Sequence, residues 1–303
     1  MDFPRLSPAP ERAVAKAPLA FQYADLTQDG QVKITSLLEA VGNTGFAQLW
    51  VKHPLIASYQ QGILPILTRL VMRTEPEPTM LGVPAEAVGT MELAHEPDES
   101  GQPRALIMNV HAEVFGRLGR SYGPQPEGAG KRVKLGEAFA EHTFTKPFAP
   151  AGERKVLRFD VPGQPAVPEA KHQRKSLEQL LALEPGDEAL DATFVADFAP
   201  WVFGMVHTDH NQHVNSLVYA ALFEDSALRR LSDHGVDTRL QAEQVELVYR
   251  KPCFAGERVV CQLRTFRKGT SVGAVGYVAQ VGAAVNKANC ALRLTFRRAP
   301  GVK

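Results

Sequence analysis

The sequence TDHNQHVNSLVY, residues 208–219, places several polar side chains directly before an apolar pattern with helical spacing, which runs from Val218 to Leu231. The side chains that could handle protons or hydrogen bonds are those of Asp209, Asn211, His213 and Asn215. A loop in this position delivers its side chains to a helix N-terminus. Unpaired backbone N–H groups and the positive end of the helix dipole favour a developing anion there. The pattern therefore predicts a site that stabilises an oxyanion.

This stretch resembles the Asp-x-Asn-x-His-x-Asn pattern of hotdog-fold thioesterases. It is most similar to the catalytic half of the acyl-carrier-protein thioesterases that carry two hotdogs in one chain. A second similarity follows in YRKPC, residues 249–253, and GERV, residues 256–259. The resemblance implies an α+β fold of two tandem hotdogs, each a long helix wrapped by an antiparallel sheet, packed as an intramolecular pseudo-dimer. A homodimer of such chains is also compatible with it.

The resemblance further implies an acyl thioester hydrolase that releases a free carboxylic acid, acting in fatty acid biosynthesis or related lipid metabolism. Its substrate would be carried by acyl carrier protein or coenzyme A. Asp209 is the expected base or nucleophile, because a carboxylate can take a proton from water or attack the carbonyl directly. Both routes remain open. Asn211 and His213 would orient the water or the carbonyl, and Asn215 belongs to the first helical turn. The alternative for Asp209 and Asn211 is a helix-capping role alone.

The chain departs from the plant-type carrier-protein enzymes next to Cys253. Those enzymes place an acidic residue beside the cysteine, whereas this sequence has Pro252 there. Proline has no side chain that accepts a proton, so any role of that carboxylate is absent or relocated. Cys253 partnered by His213 is a candidate nucleophile. The competing interpretation is a small buried apolar residue.

Two other site types fit less well. His207, His210 and His213 are spaced like metal ligands around Asp209, but no further cluster completes a set, and we predict neither a metal nor a cofactor. The sequence GTSVG, residues 269–273, matches the Gly-x-Ser-x-Gly pattern of α/β-hydrolases. No Asp or His follows it, as that triad order requires, so a hairpin turn is predicted.

Composition is that of a globular protein large enough for two domains: 303 residues, of which 44% are hydrophobic and 22% charged. The net charge of +1 shows no bias toward nucleic acid or membrane. Residues 229–303 nevertheless hold fourteen Lys or Arg against five Asp or Glu, which could receive an acidic carrier protein or the phosphates of coenzyme A. Solvated strand faces explain the same excess.

A cytoplasmic protein without a membrane span is expected. The three cysteines are too few for a disulfide framework, and the first twenty residues lack the apolar core of a signal peptide. The most apolar run, Ile63–Met72, contains Pro65 and Arg69.

The predicted organisation has four parts: a flexible leader over 1–18, an N-terminal hotdog over 19–150, a linker over 151–186 and a C-terminal catalytic hotdog over 187–303. The N-terminal hotdog is expected to be degenerate and to bind substrate. This follows from laying Asp25–Asp29 over Asp209–His213 and Ser36–Leu38 over Ser216–Val218, after a four-residue insertion in the first half. In that alignment the first half keeps the Asp and loses the Asn and the His.

Two alternative functions stay open. The fold could serve another reaction of a thioester-linked acyl group, as in a polyketide or fatty-acid dehydratase or an acyltransferase. It could also bind an acyl chain without hydrolysis, and Pro252 is the feature that favours this case.

Overall fold

The computed structural model describes residues 3–8 and 12–299, and the chain divides into two compact units. Of the described residues, 3–8, 12–32 and 36–174 form the N-terminal unit, and 33–35 and 175–299 form the C-terminal unit. The division falls inside the segment predicted as a linker. Parts of the predicted leader, residues 1–2 and 9–11, lie outside the described residues, as do 300–303.

The N-terminal unit is an antiparallel sheet in the strand order β1-β3-β4-β5-β2. Its strands are β1 (Val14–Leu19), β2 (Leu64–Thr74), β3 (Ala85–Pro97), β4 (Pro103–Arg117) and β5 (Arg132–Thr145). A two-residue strand, β6 (Ala170–Lys171), pairs in parallel with β3.

Strand β1 was not predicted. Residues 14–18, assigned from sequence to a flexible leader, form most of this strand and pair with β3 from Val14↔Thr90 to Leu19↔Ala85. Its side chains alternate between exposed and buried, which is the pattern of a strand with one face in the core. The small side chains of Ala15 and Ala17 occupy the buried positions. This part of the predicted leader is therefore ordered structure.

A helical segment over residues 34–50, of which 36–50 belong to the N-terminal unit, changes its winding twice. A 3₁₀ turn (Ile34–Leu37) leads into one α-helical turn, α1 (Leu38–Val41), and then into a nine-residue π-helix (Gly42–Trp50). The π-helix lies very close to the sheet, because a Cβ added at Gly45 would fall 2.4 Å from a methyl carbon of Val110. The segment is therefore helical throughout, but it is not a uniform α-helix.

The C-terminal unit repeats this plan with the strand order β7-β11-β12-β13-β10. Its short strands are β7 (Glu188–Ala189), β8 (Val195–Ala196) and β9 (Trp201–Val202), each paired with β11. Its long strands are β10 (Leu240–Tyr249), β11 (Arg258–Lys268), β12 (Ser271–Gln280) and β13 (Cys290–Arg298). Lys268 pairs with Ser271, so the Gly-x-Ser-x-Gly match begins in a hairpin turn, as predicted.

A short helix, α2 (Leu177–Leu181), precedes these strands, and a long helix, α3 (Ser216–Asp233), packs on their sheet. The buried residues of α3 recur every three or four positions, as expected for an amphipathic helix with one face in the core. They are Tyr219, Ala220, Leu222, Phe223, Ser226, Ala227 and Leu231. Both units therefore show the predicted α+β layering of helix on antiparallel sheet.

Candidate functional site

The polar loop before α3 is a closed turn. Thr208 and Val214 form an isolated β-bridge, and the N–H of Asp209 donates to the carbonyl of His213 at 3.1 Å. Inside the turn, Gln212 donates from its N–H to the carbonyl of Asp209 at 3.0 Å and adopts a left-handed backbone with φ of 66°. A non-glycine residue in this region costs free energy and is found where the surrounding structure enforces it. The loop is thus held by its own main chain.

The carboxylate of Asp209 is oriented from two sides. Its Oδ1 accepts the backbone N–H of Asn211 at 2.9 Å, and its Oδ2 accepts the side-chain amide of Asn215 at 3.2 Å. Asp209 is half-buried and keeps part of its surface toward solvent. The structure therefore brings together Asp209, Asn211 and Asn215 of the sequence-predicted set.

Asn215 is also the N-cap of α3. Its Oδ1 accepts the N–H of Leu217 at 2.9 Å, and its carbonyl accepts the N–H of Val218 at 3.1 Å. The N–H of Ser216 makes no hydrogen bond to any residue in the described part of the chain. The N–H groups of Leu217 and Val218 are used by Asn215, so the Ser216 N–H is the candidate donor to an oxyanion at this helix N-terminus.

The side chains of Asn211 and His213 differ in their exposure and in their hydrogen bonds. The Asn211 side chain is exposed and forms no hydrogen bond with residues 3–8 or 12–299, although its backbone N–H is used by Asp209. His213 is half-buried, and its Nδ1 lies 3.5 Å from the carbonyl of Val214, at the limit of a hydrogen bond. No hydrogen bond or ion pair joins the His213 ring to Asp209 among these residues. Both side chains remain available to a ligand.

Cys253 lies beneath the loop and connects it to α3. Its carbonyl accepts the N–H of Val214 at 2.8 Å, and its N–H donates to the hydroxyl oxygen of Tyr219 at 3.0 Å. The side chain is fully buried, and burial raises the pKa of the thiol to about 11. At neutral pH the group is the thiol rather than the nucleophilic thiolate. These features favour a structural role for Cys253, and the neighbouring Pro252 is exposed.

His207 was considered from sequence only as a metal ligand, and the structure gives it a positioning role. Its Nδ1 accepts the N–H of Gly204 at 2.9 Å, and its carbonyl accepts the N–H of Asn215 at 2.9 Å. The ring packs edge-on against Trp201 and Phe203. Among the residues that the structure describes, no group of three or more His, Cys, Asp or Glu is arranged to hold a metal ion. Nothing in the sequence distinguished this use of His207.

The N-terminal unit contains a second loop with the same main chain. Leu26 bridges Val32, the N–H of Thr27 donates to the carbonyl of Gln31 at 2.8 Å, and Gly30 has a left-handed φ of 80°. These features match Thr208–Val214 one for one, so Thr27 corresponds to Asp209 and Gly30 to Gln212.

The predicted alignment of the two halves is therefore wrong by two residues, because it placed Asp25 over Asp209. The main-chain hydrogen bonds set the correct register and need no insertion between loop and helix. In this register Asp209, Asn211 and His213 correspond to Thr27, Asp29 and Gln31. The N-terminal loop consequently has no counterpart of the Asp209 carboxylate, the Asn211 amide or the His213 imidazole at the matching positions.

Solved structures with both units in one chain align over almost the whole sequence. A Lactobacillus plantarum protein, provisionally assigned as an oleoyl thioesterase, is 12% identical with a TM-score of 0.61, covering 96% of this chain and 97% of that one. The 12:0-ACP thioesterase from Umbellularia californica is 12% identical with a TM-score of 0.58, covering 94% of each chain. An acyl-ACP thioesterase from Bacteroides thetaiotaomicron is 11% identical with a TM-score of 0.55, covering 94% of this chain and 98% of that one.

This chain has the tandem hotdog fold. The hotdog prediction made from residues 208–259 is thereby confirmed at the level of fold. No protein-family model and no curated protein matches the sequence. No helix of either hotdog, within residues 3–8 and 12–299, is both long enough and apolar enough to cross a membrane.

Proposed function

We propose that the C-terminal hotdog hydrolyses acyl thioesters at the loop over residues 208–214. The observation that carries this proposal is the Asp209 carboxylate held by Asn211 and Asn215, together with the N–H of Ser216, the residue after Asn215, which is unpaired in the described part of the chain. A base and an oxyanion donor on one helix N-terminus are the two elements that acyl transfer to water needs. The aligned thioesterase structures supply the fold on which the proposal rests.

Two routes use this geometry. In the first, Asp209 takes a proton from a water whose oxygen attacks the carbonyl carbon. In the second, Asp209 itself attacks, and water then cleaves the resulting anhydride. In both, the carbonyl oxygen becomes negative and is stabilised by the Ser216 amide, with Asn211 or His213 as a further donor. The carbon–sulfur bond then breaks. In the first route the departing sulfur receives the proton that Asp209 took from water. In the second it leaves as a thiolate that solvent protonates, and hydrolysis of the anhydride restores the Asp209 carboxylate. The products are a carboxylic acid and a free thiol, whether the carrier is acyl carrier protein or coenzyme A.

The test is steady-state hydrolysis of short, long and aromatic acyl thioesters, with thiol release followed by a chromogenic disulfide. Asp209→Asn keeps the shape of the side chain and should lower kcat/KM by about a hundredfold, or roughly 2.7 kcal/mol of transition-state stabilisation. Asp98→Asn is the matched control, because Oδ1 of Asp98 also accepts a backbone N–H two residues on, at 2.9 Å. Equal activity of the two variants would refute the role of Asp209.

A second candidate is an acyl-binding protein without hydrolytic activity, and Pro252 supports it. In that case folded protein binds acyl thioesters by calorimetry and releases no thiol from any of them. Hydrolysis in the native chain rejects this candidate.

A further inference from the structure

The N-terminal copy of the loop forms one wall of a cavity of about 230 Å³. The opposite wall comes from the segment that follows β4. Side chains and backbone of the following residues line it: Tyr23, Thr27, Asp29, Gly30, Arg120 and Tyr122. The cavity lies within the N-terminal hotdog and shares no residue with the loop over residues 208–214.

Arg120 is the unusual member of this cavity. Its Nε is buried and has no hydrogen-bond partner, and its guanidinium forms no ion pair with a residue in the described ranges. The backbone is fixed, because Gln125 accepts the N–H of Arg120 at 3.1 Å and donates its amide to the carbonyl at 2.7 Å. The Arg120 residue as a whole is half-buried, but a buried donor such as its Nε–H is costly to leave unpaired, so this group calls for a partner. A planar guanidinium matches the oxygens of a carboxylate or a phosphate.

Hydroxyl groups add further donors at the opening. The hydroxyl oxygens of Tyr23 and Tyr122 lie 3.0 Å apart, and the two side chains are 73% and 72% exposed. Only one phenol proton is used in this contact, so the other can donate to a ligand. The hydroxyl oxygen of Ser121 accepts the N–H of Leu81 at 2.8 Å, which leaves its own proton free as well. The Nε–H of Arg120, one tyrosine hydroxyl and the Ser121 hydroxyl are therefore free to donate to a ligand.

Asp29 restricts the class of ligand. Its carboxylate lines the same cavity and forms no hydrogen bond or ion pair with the described part of the chain. A bare anion would be repelled by this carboxylate, whereas a hydroxyl or ammonium group would donate to it. The best match is an oxyanion that also carries such a donor.

We propose that this cavity is a second binding site, which takes a small organic oxyanion through Arg120 and the tyrosine hydroxyls, with Asp29 accepting a donor of the ligand. The two copies of the loop therefore serve different ligands. The C-terminal copy keeps Asp209 for chemistry, and the N-terminal copy, with Thr27 in that place, contributes to recognition.

Isothermal titration calorimetry on the full chain tests this site directly, without reference to hydrolysis. Glycerol 3-phosphate and 3-hydroxybutyrate serve as phosphate and carboxylate probes that each carry a hydroxyl, and inorganic phosphate is the probe without a carbon-bound donor. At least one hydroxylated probe should bind with a dissociation constant of about 1 mM or tighter. Whichever of the two hydroxylated probes binds more tightly shows whether the site prefers a phosphate or a carboxylate. Absence of binding by all three overturns the proposal.

Substitutions inside and outside the cavity show whether the probe binds there. Arg120→Gln should weaken the bound probe at least about tenfold, and Arg120→Lys, which keeps the charge without the planar fork, should weaken it less. Arg117→Gln is the control, since Arg117 lies on β4 nearby, outside the cavity, and its removal should change affinity less than about twofold. Asp29→Asn should strengthen inorganic phosphate relative to the hydroxylated probe. Equal losses in Arg120→Gln and Arg117→Gln would refute a built site. If Arg120→Gln does not fold, Arg120→Lys and Tyr122→Phe decide the question.

Discussion

Nδ2 of Asn215 lies 3.2 Å from Oδ2 of Asp209, so the residue that caps helix α3 also orients the candidate base. Asn215→Ser retains a capping hydroxyl but cannot replace the amide donor. We expect unfolding free energy to change by a few tenths of a kcal/mol, with kcat/KM at least about tenfold lower. Asn215→Ala loses both functions and should also cost about 1 kcal/mol of stability. Urea unfolding and steady-state kinetics separate the two effects. Full activity in Asn215→Ser would show that Asp209 does not depend on this contact.

Tyr219 should stabilise the loop through Cys253. Tyr219→Phe removes the acceptor of a buried N–H, which costs about 1–3 kcal/mol, and loosens the segment that holds Val214. We expect lower kcat with little change in KM. Tyr59→Phe is a matched control, because the Tyr59 hydroxyl oxygen accepts Nε1–H of Trp50 at 2.8 Å in the N-terminal hotdog. A loss of kcat as large in Tyr59→Phe would indicate a general effect of destabilisation.

Cys253 should be slow to react and dispensable for turnover. Burial raises the pKa of its thiol to about 11, so very little thiolate exists at neutral pH. We expect Cys253→Ala to keep at least about a third of kcat, a loss below 1 kcal/mol. Iodoacetamide should label the native chain slowly and the urea-unfolded chain quickly. Rapid labelling of native Cys253 together with an inactive, folded Cys253→Ala would instead identify a nucleophile.

Gln212 should store strain that glycine would release. Gln212→Gly places glycine at φ of 66°, and we expect a gain of up to about 1 kcal/mol in unfolding free energy. Gly30→Ala makes the opposite change at φ of 80° and should cost about 1 kcal/mol or more. Thermal unfolding of both variants and of the native chain measures the two changes in unfolding free energy. Destabilisation in Gln212→Gly would mean that the glutamine side chain contributes more than its backbone costs.

Glu224 should make stability fall as pH rises. Burial, reinforced by the charge of Asp225, raises its pKa to about 7 in the folded chain, with Lys33 opposing the shift. The folded state therefore holds this proton more tightly than the unfolded state. The resulting stabilisation is complete below about pH 4.5 and is lost as pH approaches about 7, at most about 3 kcal/mol.

Glu224→Gln should remove that dependence and be more stable than the native chain at about pH 8. Glu188→Gln, at an exposed position on β7, is the control and should follow the native curve. Urea unfolding across this pH range gives the comparison. Parallel curves for Glu224→Gln and the native chain would contradict the raised pKa.

The long strands and α3 could be predicted from sequence because each carries its own periodicity. Strand β1 could not, since Ala15 and Ala17 are small and stand among prolines and charges, which is also the composition of a flexible leader. The segment Gly42–Trp50 packs closely on Val110, and its π-helical winding has no local sequence signal.

The candidate site was predictable only in part. Asp209, Asn211 and Asn215 meet because they lie in one short turn, so their spacing was informative. The burial of Cys253 depends on the fold around it, and the sequence left its role open. The repeat was misaligned because Asp25 resembles Asp209 chemically, whereas the true register depends on main-chain bonds and on the left-handed position of Gly30.

The matching loops show that this turn keeps its shape without the side chains proposed for chemistry. Its bridge and its two internal hydrogen bonds come from the main chain, and they persist where Thr27 and Gln31 replace Asp209 and His213. The same main-chain conformation can therefore serve different functions when only its side chains change. Thr27→Asp, Asp29→Asn and Gln31→His together would place the carboxylate, amide and imidazole of the C-terminal loop on the same main chain, with Lys33 standing where that loop has Asn215.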